Sequence, residues 1–424
     1  MAGVRGTYHR AMMIDLETAR ARVLQGCRAL TPVRVKLGEA AGLVLAEAVV
    51  ADQLLPPFAN TAVDGFAVRA ADVVGAGPDQ PVELLVVETI AAGRASTRTL
   101  EAGQAMRIMT GAPVPAGADA VVMVEDTSTG GAVEDTSTGL ERVRVHRAVR
   151  VGDAVRPAGD DVRPGDQLFF PGAVLSAAHV GVLASLGWTD VLAHPRPRLG
   201  VISTGDELVV GPAPLGPGQI RDSNRITLLR LVEAAGAIPI DLGLVADDET
   251  LIRRAFVDAA THCDGIISSG GVSMGDFDFV KRVLDEVGQM NWMQVAIRPA
   301  KPLAFGTIGA TPVFGLPGNP VSSMVSFELF ARPGIRRMAG HPDAELVRPT
   351  VRATTADALE RGPDGKTHFA RVVATNVDGR YVVRNAGGQG SHQLAVMAIA
   401  NALVVLGDGP GVGPGEEVDV LLLA

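Results

Sequence analysis

The stretch SSGGVSMGDFD, residues 268–278, sets a run of glycines directly before two carboxylates, and this order suits two chemistries. Gly271, Ser273 and Gly275 make a G-x-S-x-G pattern between an apolar run and a helical pattern, with His341, His368 and His392 downstream, as a serine hydrolase requires. The glycines begin earlier, however, at Gly270, and a glycine-rich turn that opens a helix presents backbone N–H groups able to wrap an anion. Asp276 and Asp278 would repel that anion unless a cation lay between. Phosphate-type glycines beside carboxylates therefore fit a Mg²⁺–phosphate site, the plainer alternative being that Asp276 caps a helix starting near Phe277.

Other stretches repeat the logic. STGDEL, residues 203–208, places Ser203, Thr204 and Gly205 ahead of Asp206 and Glu207; alone it reads equally as a helix start. Asp247 and Asp248 precede a helical pattern, where capping is the simpler role. In LPGNP, Pro317 and Pro320 bracket Gly318 and Asn319 in a rigid turn before VSSMVSFELF, a helix whose first N–H groups could face a phosphate. Arg298 and Lys301 in IRPAKP are either anion partners or a solvated pair. No G-x-x-x-x-G-K-[ST], no helix-opening G-x-G-x-x-G and no H-E-x-x-H occurs, which removes nucleoside triphosphate hydrolysis, dinucleotide redox chemistry and zinc proteolysis.

The elements that must position these residues follow from periodicity. Asp15 stands as a cap before Leu16, Ala19, Val23, Leu24 and Cys27 at helical spacing, and a second helix is expected over Leu37–Val50. Residues 55–190 carry short Val-rich runs between turn signals and read as mostly β. Within them VEDTSTG occurs at 124–130 and again at 133–139, a lengthened hairpin tip. From Arg198 the pattern alternates strand and helix, with helix faces Ile226, Leu229, Val232; Leu251, Ile252, Phe256; and Val280, Val283, Leu284. Such alternation implies a largely parallel sheet covered on both faces, whose ligands bind beyond the strands' carboxyl ends. A Pro-bounded segment closes this block near residue 345, and the tail reads as a small β barrel or sandwich.

With 424 residues the chain exceeds one ordinary domain. It has 38 Lys+Arg against 47 Asp+Glu and no basic block, which disfavours a nucleic-acid or anionic-membrane surface and leaves any anion to a local site. Two distant cysteines, Cys27 and Cys263, read as core fillers in a reducing compartment. The start lacks a signal-peptide core and no run is long enough to span a bilayer, so a cytoplasmic protein is expected.

PPFANTAVDGFAVRAAD (56–72), RIMTGAPVPAGADAVVMVED (107–126), PAGDDVRPGD (157–166), STGDEL, SSGGVSMGD, RPAKP and GLPGNPVSS, in this order, resemble the molybdopterin molybdenumtransferase family, to which the C-terminal domain of the scaffold protein gephyrin is related. The resemblance implies a multidomain α/β fold: a linker and helical subdomain at 1–54 and 146–192, an inserted β subdomain at 55–145, a molybdopterin-binding α/β domain with a central parallel sheet at 193–343, and a C-terminal β barrel at 344–424. It implies insertion of molybdenum from molybdate into adenylylated molybdopterin with release of AMP, Mg²⁺-dependent. Matched residue by residue, its functional positions fall on Asp64, Thr110, Asp161, Glu207, Asp248 and Asp278, with Glu207 and Asp278 as metal ligands and with Pro317 and Pro320. Ser203, Thr204, Gly205, Gly270, Gly271, Ser273, Arg298, Lys301, Gly318 and Asn319 fall in the substrate-binding loops. It further implies a homodimer whose sites join the β region of one chain to the α/β block of the other, and exchange with molybdopterin adenylyltransferase and apo-molybdoenzymes. A cofactor-binding scaffold is the alternative from a different class. The sequence departs from the family pattern at NTAVDGF, at Gln294 and at Ala300, where a glycine is usual and a methyl group would oppose a positive φ.

Overall fold

The computed structural model describes residues 13–129, 141–271 and 279–423. The chain forms two compact units, residues 48–170 with 177–189, and residues 1–47, 171–176 and 190–424.

The larger unit begins with α1 (Leu16–Gly26), capped by Asp15, whose Oδ1 accepts from Thr18 N at 2.7 Å. Where a second helix is expected over Leu37–Val50, the chain instead makes one 3₁₀ turn, then β2 (Val44–Leu45) and a strand at Val49–Val50. With β1 (Val33–Lys36), β2 flanks a strand near residue 190. Gly42, at φ +81°, breaks the helical path, and the apolar residues beyond it gain strand partners that their spacing could not reveal.

The smaller unit is built on one six-stranded sheet: β3 (Gly65–Val68), β4 (Val82–Ile90), β5 (Gln104–Ile108), β6 (Ala120–Met123), β7 (Thr127–Thr129) and β8 (Glu141–Val145), in the order β6-β3-β5-β4-β8-β7. Alternate residues face opposite sides. Ala67, Met106 and Val121 enter one core, and Val68, Ala105 and Val122 the other. The second VEDTSTG copy lies outside the described residues. The unit also contains α2 (Ala177–Ser185).

Back in the larger unit, β9 (Asp190–His194) pairs with β1 and β2, and β10 (Arg198–Thr204) opens the central sheet. Then follow α3 (Ser223–Ala234), β11 (Ile238–Val245), α4 (Glu249–His262), β12 (Gly265–Ser269), α5 (Phe279–Val287), β13 (Gln289–Gln294), β14 (Pro302–Ile308) and β15 (Thr311–Leu316). The order is β11-β10-β12-β15-β14-β13; the first four strands are parallel, and β14 and β13 extend the sheet antiparallel. Helices cover both faces: Leu228 and Val232 of α3 pack on one side, Ile252 and Phe256 of α4 with Val283 of α5 on the other. Ile226 and Leu251, expected on the buried stripes, are exposed, because Arg225 and Leu228 turn the inner face of α3 and Ile252 that of α4. Cys27 and Cys263 are buried and unpaired.

After β15, α6 (Pro320–Ser326) does not stop before ARPG; it runs through a π-helical turn at Phe327–Ala331 into α7 (Arg332–Met338). Pro333 has no N–H to give, and the widened turn accommodates that at the start of α7. The tail closes as a barrel of β16 (Thr350–Thr355), β17 (Thr367–Val377), β18 (Arg380–Asn385), β19 (Ala402–Leu406) and β20 (Glu417–Leu422), with β17 pairing β19 to complete the ring. A short helix, Leu394–Ile399, precedes β19.

Candidate functional site

In the central sheet, β10 feeds α3 and β11 on one side, whereas α4 leads back to β12 on the other. The strand ends at Thr204 and Ser269 flank this switch point, where a crevice forms in open α/β sheets. The loops expected to bind phosphate meet here. Gly270 N donates to Leu316 O at 3.1 Å. Gly271, at φ +71°, has room for no side chain, since a Cβ would come within 2.4 Å of Val280 Cβ. Glu207 folds its carboxylate back over Gly205, whose missing Cβ would stand 2.6 Å from Glu207 Oε2.

Asn224, which the sequence reading did not single out, ties these loops together. Its Nδ2 donates to Ser269 Oγ at 2.8 Å and to Gly318 O at 2.7 Å. Beneath it, Ser203 Oγ donates to Asp222 Oδ1 at 3.0 Å, and Arg225 joins Asp222 to Asp241. Burial opposes the charge on Arg225, yet the two carboxylates raise its pKa above the ordinary guanidinium value. Asp248 caps α4, its Oδ1 accepting from Thr250 N and Leu251 N, both at 2.9 Å. Asp206 accepts from Asp247 N at 3.1 Å. Asn319 and Pro320 start α6 with Pro at its first turn. Ser273 and Asp278 lie outside the described residues.

A second set of donors gathers where the Ile297–Lys301 turn meets the barrel; Ile297 and Arg298 pair with Thr367 and His368 of β17. A cavity of about 260 Å³ is lined by Arg298, Lys301, Ser322, Lys366, Gln389 and Ser391. Against its Gln389–Gly390 wall lies Arg371, 0 % exposed. Arg371 Nη2 donates to Gly388 O at 2.9 Å and Gly390 O at 3.2 Å, while Nε and Nη1 have no partner among the described residues. Burial lowers its pKa, but a guanidinium this basic stays charged at neutral pH. Unpaired buried donors on a fixed cation, behind a wall that carries three further cations and two serine hydroxyls, suit an oxyanion.

Ala300 lines this cavity at φ +77°, 3 % exposed. The left-handed conformation costs an alanine about 1–2 kcal/mol, and glycine would return part of the gain, about 0.4–1 kcal/mol, through its freer unfolded state. Ala300→Gly is therefore expected to stabilise the protein by roughly 0.5–1 kcal/mol, measured as a higher thermal midpoint. An unchanged or lower midpoint would show that the turn relaxes around the methyl group at no cost.

In the smaller unit, Asp64 precedes β3 and Thr110 follows β5, and the register Gly65↔Ile108 brings them together. Asp64 Oδ1 accepts from Thr110 N at 2.6 Å and from Thr110 Oγ1 at 2.8 Å. These two bonds, backbone first, hold the exposed carboxyl below its usual pKa. Asp161 is also exposed; its backbone N donates to Leu55 O at 2.9 Å, and no hydrogen bond joins its side chain to Asp64 or Thr110 among the described residues.

No group of three or more His, Cys, Asp or Glu side chains among the described residues could hold a metal unaided. Magnesium needs no such cage, since it commonly keeps water and substrate phosphates around one or two carboxylates. Glu207, an oxygen donor at the strand-end crevice, fits that role.

Three family models cover most of the chain: the MoeA N-terminal region (domain I and II) over residues 14–187, a probable molybdopterin binding domain over 200–337, and the MoeA C-terminal region (domain IV) over 352–423. Molybdopterin molybdenumtransferase 2 of Mycobacterium tuberculosis is 39 % identical over 390 residues, 91 % of this chain and 92 % of that one. Molybdopterin molybdenumtransferase of Haemophilus influenzae is 36 % identical over 411 residues, 96 % and 98 % of the two chains. The crystal structure of the molybdopterin biosynthesis moeA protein from Pyrococcus horikoshii matches with a TM-score of 0.76 at 28 % identity, covering 97 % of this chain and 100 % of that one. No described helix is long and apolar enough to cross a membrane.

Proposed function

This chain belongs to the molybdopterin molybdenumtransferase family, and from that premise we propose that it transfers molybdenum from molybdate to adenylylated molybdopterin with release of AMP, in a Mg²⁺-dependent reaction. The observation that carries the reading furthest is Arg371, a fully buried cation with two nitrogens unpaired among the described residues, behind a cavity lined by Arg298, Lys301, Ser322 and Ser391. Molybdate is a small dianion of tetrahedral oxygens, and such a cradle supplies the charge and the N–H and O–H donors it requires.

The backbone N–H groups of Gly271 and of the Gly318–Asn319 turn would hold the phosphates, with Asn224 fixing the distance between the two turns. Glu207 and Asp278 would hold magnesium. When bound, that ion neutralises the phosphoanhydride and makes its phosphorus more electrophilic. Water adding at phosphorus while the bond to the pterin-side oxygen breaks gives AMP. Asp64, kept ionised by Thr110, would orient or deprotonate that water. Asp161 and Asp248 are assigned to the same site on the family pattern. The protein would work as a homodimer between molybdopterin adenylyltransferase, the source of its substrate, and the apo-molybdoenzymes that receive its product.

The test is reconstitution of a cofactor-free molybdoenzyme with this protein, adenylylated molybdopterin, molybdate and Mg²⁺. Expected are activity of the recipient enzyme and stoichiometric AMP, both abolished by chelation of magnesium and restored by adding it back. Tight binding of pterin with no AMP, with or without Mg²⁺, would instead identify a cofactor-binding scaffold.

A further inference from the structure

A second cavity, of about 370 Å³, lies in the larger unit, with Gly42–Val44 and His194–Arg196 on one side and Ala234–Gly236, Arg336, Ala339, His341 and Glu345 on the other. It shares no lining residue with the oxyanion cradle. Its volume falls within the range of small-molecule sites. Its polar groups are arranged in a definite way. Arg336 donates through Nε to Glu345 O at 2.6 Å and through Nη2 to His341 Nδ1 at 3.1 Å. A guanidinium can only donate, so Nδ1 of His341 accepts and the ring proton sits on Nε2. Burial, helped by Arg336 and only partly opposed by Glu345, pushes the His341 pKa down to about 4, which keeps this neutral tautomer at physiological pH.

Two donors are then left over: Arg336 Nη1 and His341 Nε2 make no hydrogen bond among the described residues. Arg196, exposed at the rim, uses only Nη2, on Ala41 O at 3.2 Å. The sole lining carboxylate, Glu345, is half exposed and 3.5 Å from Arg336 Nη2. Behind the wall, Arg332 and Arg348 share one buried carboxylate, Glu328, so the surroundings stay cationic on an acidic protein. Leu43, Val44, Val174, Pro195, Ala235 and Ala339 supply the apolar remainder.

We propose that this cavity binds a small organic oxyanion, a carboxylate or phosphate ester, with its charged end on Arg336, His341 and Arg196 and its apolar body against Leu43, Val44 and Val174. Because its walls come from both the β1-β9-β2 segment and the α/β block of the unit, the ligand would brace one against the other.

Calorimetric titration with phenyl phosphate, benzoate and inorganic phosphate tests this on the full-length protein. One aromatic anion should bind per chain, and whichever of the two binds tighter assigns phosphate ester or carboxylate. Arg336→Gln should weaken it at least about tenfold, the scale of one charged hydrogen bond. Val174→Trp, which fills the cavity from a half-exposed position without touching a charge, should do the same even if Arg336→Gln perturbs folding. Arg352→Gln, at an exposed arginine outside this cavity's lining, should leave the titration unchanged. Failure of both aromatic anions to bind, binding untouched by Val174→Trp, or inorganic phosphate binding as tightly as phenyl phosphate would each overturn the proposal.

Discussion

Replacing Arg371 by methionine is expected to lower molybdenum transfer by about 10²–10³-fold or more, the usual consequence of removing a preorganised donor to an oxyanion. Direct molybdate binding, followed by equilibrium dialysis, should fall with it. The side chain is 0 % exposed and two of its nitrogens have no partner among the described residues, which leaves a desolvated, under-bonded charge in the fold. Replacing such a group with an apolar residue of similar length is often neutral or stabilising. The bonds to Gly388 O and Gly390 O are lost, which offsets part of the gain. The thermal midpoint should therefore stay level or rise while activity collapses. A purely structural arginine gives the opposite pair of results: a midpoint several degrees lower, with molybdate affinity per folded molecule preserved.

Asp64→Asn and Asp278→Asn should each abolish AMP release, and the two variants should restore it in each other. The first substitution isolates charge, because an asparagine Oδ1 can still accept from Thr110 N and Oγ1. Suppose each site takes its Asp64 from one chain of a two-fold dimer and its Asp278 from the other, as the family resemblance implies. Equal co-expression then gives about half heterodimers by random pairing. In each heterodimer one site carries both lesions and the other neither, so about a quarter of all sites, and of wild-type turnover, should return. Had both residues come from one chain, every site in the mixture would carry a lesion. A mixture that contains heterodimers, verified by differential tags, yet releases no AMP would rule out sharing.

The positions of the site loops were legible because they obey local rules. STGDEL, SSGG and LPGNP each follow an apolar run, and each stands at the carboxyl end of a strand of the central sheet. Asp15 reads as a cap and is one, since a carboxylate three residues before an N–H needs nothing distant. The family resemblance marks Ala300 as a methyl group where glycine is usual, and it has φ +77°. Leu37–Val50 went astray because its apolar spacing serves a helix or short strands equally, and the choice was made by partners beyond residue 160.

The amino-acid sequence by itself determined the family, the order of its domains and the places, at strand ends, of loops whose glycines and carboxylates stand within a few residues of one another. Only the tertiary structure decided which distant groups share a task. Asp64 meets Thr110 across 46 residues because β3 and β5 pair in one register. Asn224 spans two loops because α3, packed on β10 and β11, also meets α6, which starts at the LPGNP turn. Arg371 stands in THFARVVATN, out of step with Ala370, Val372 and Ala374 that fill the barrel core; it faces the outer side with Phe369, where the Gly388–Gly390 turn takes its guanidinium. Burial and the absence of a partner are properties of the surrounding fold, and no local spacing encodes them.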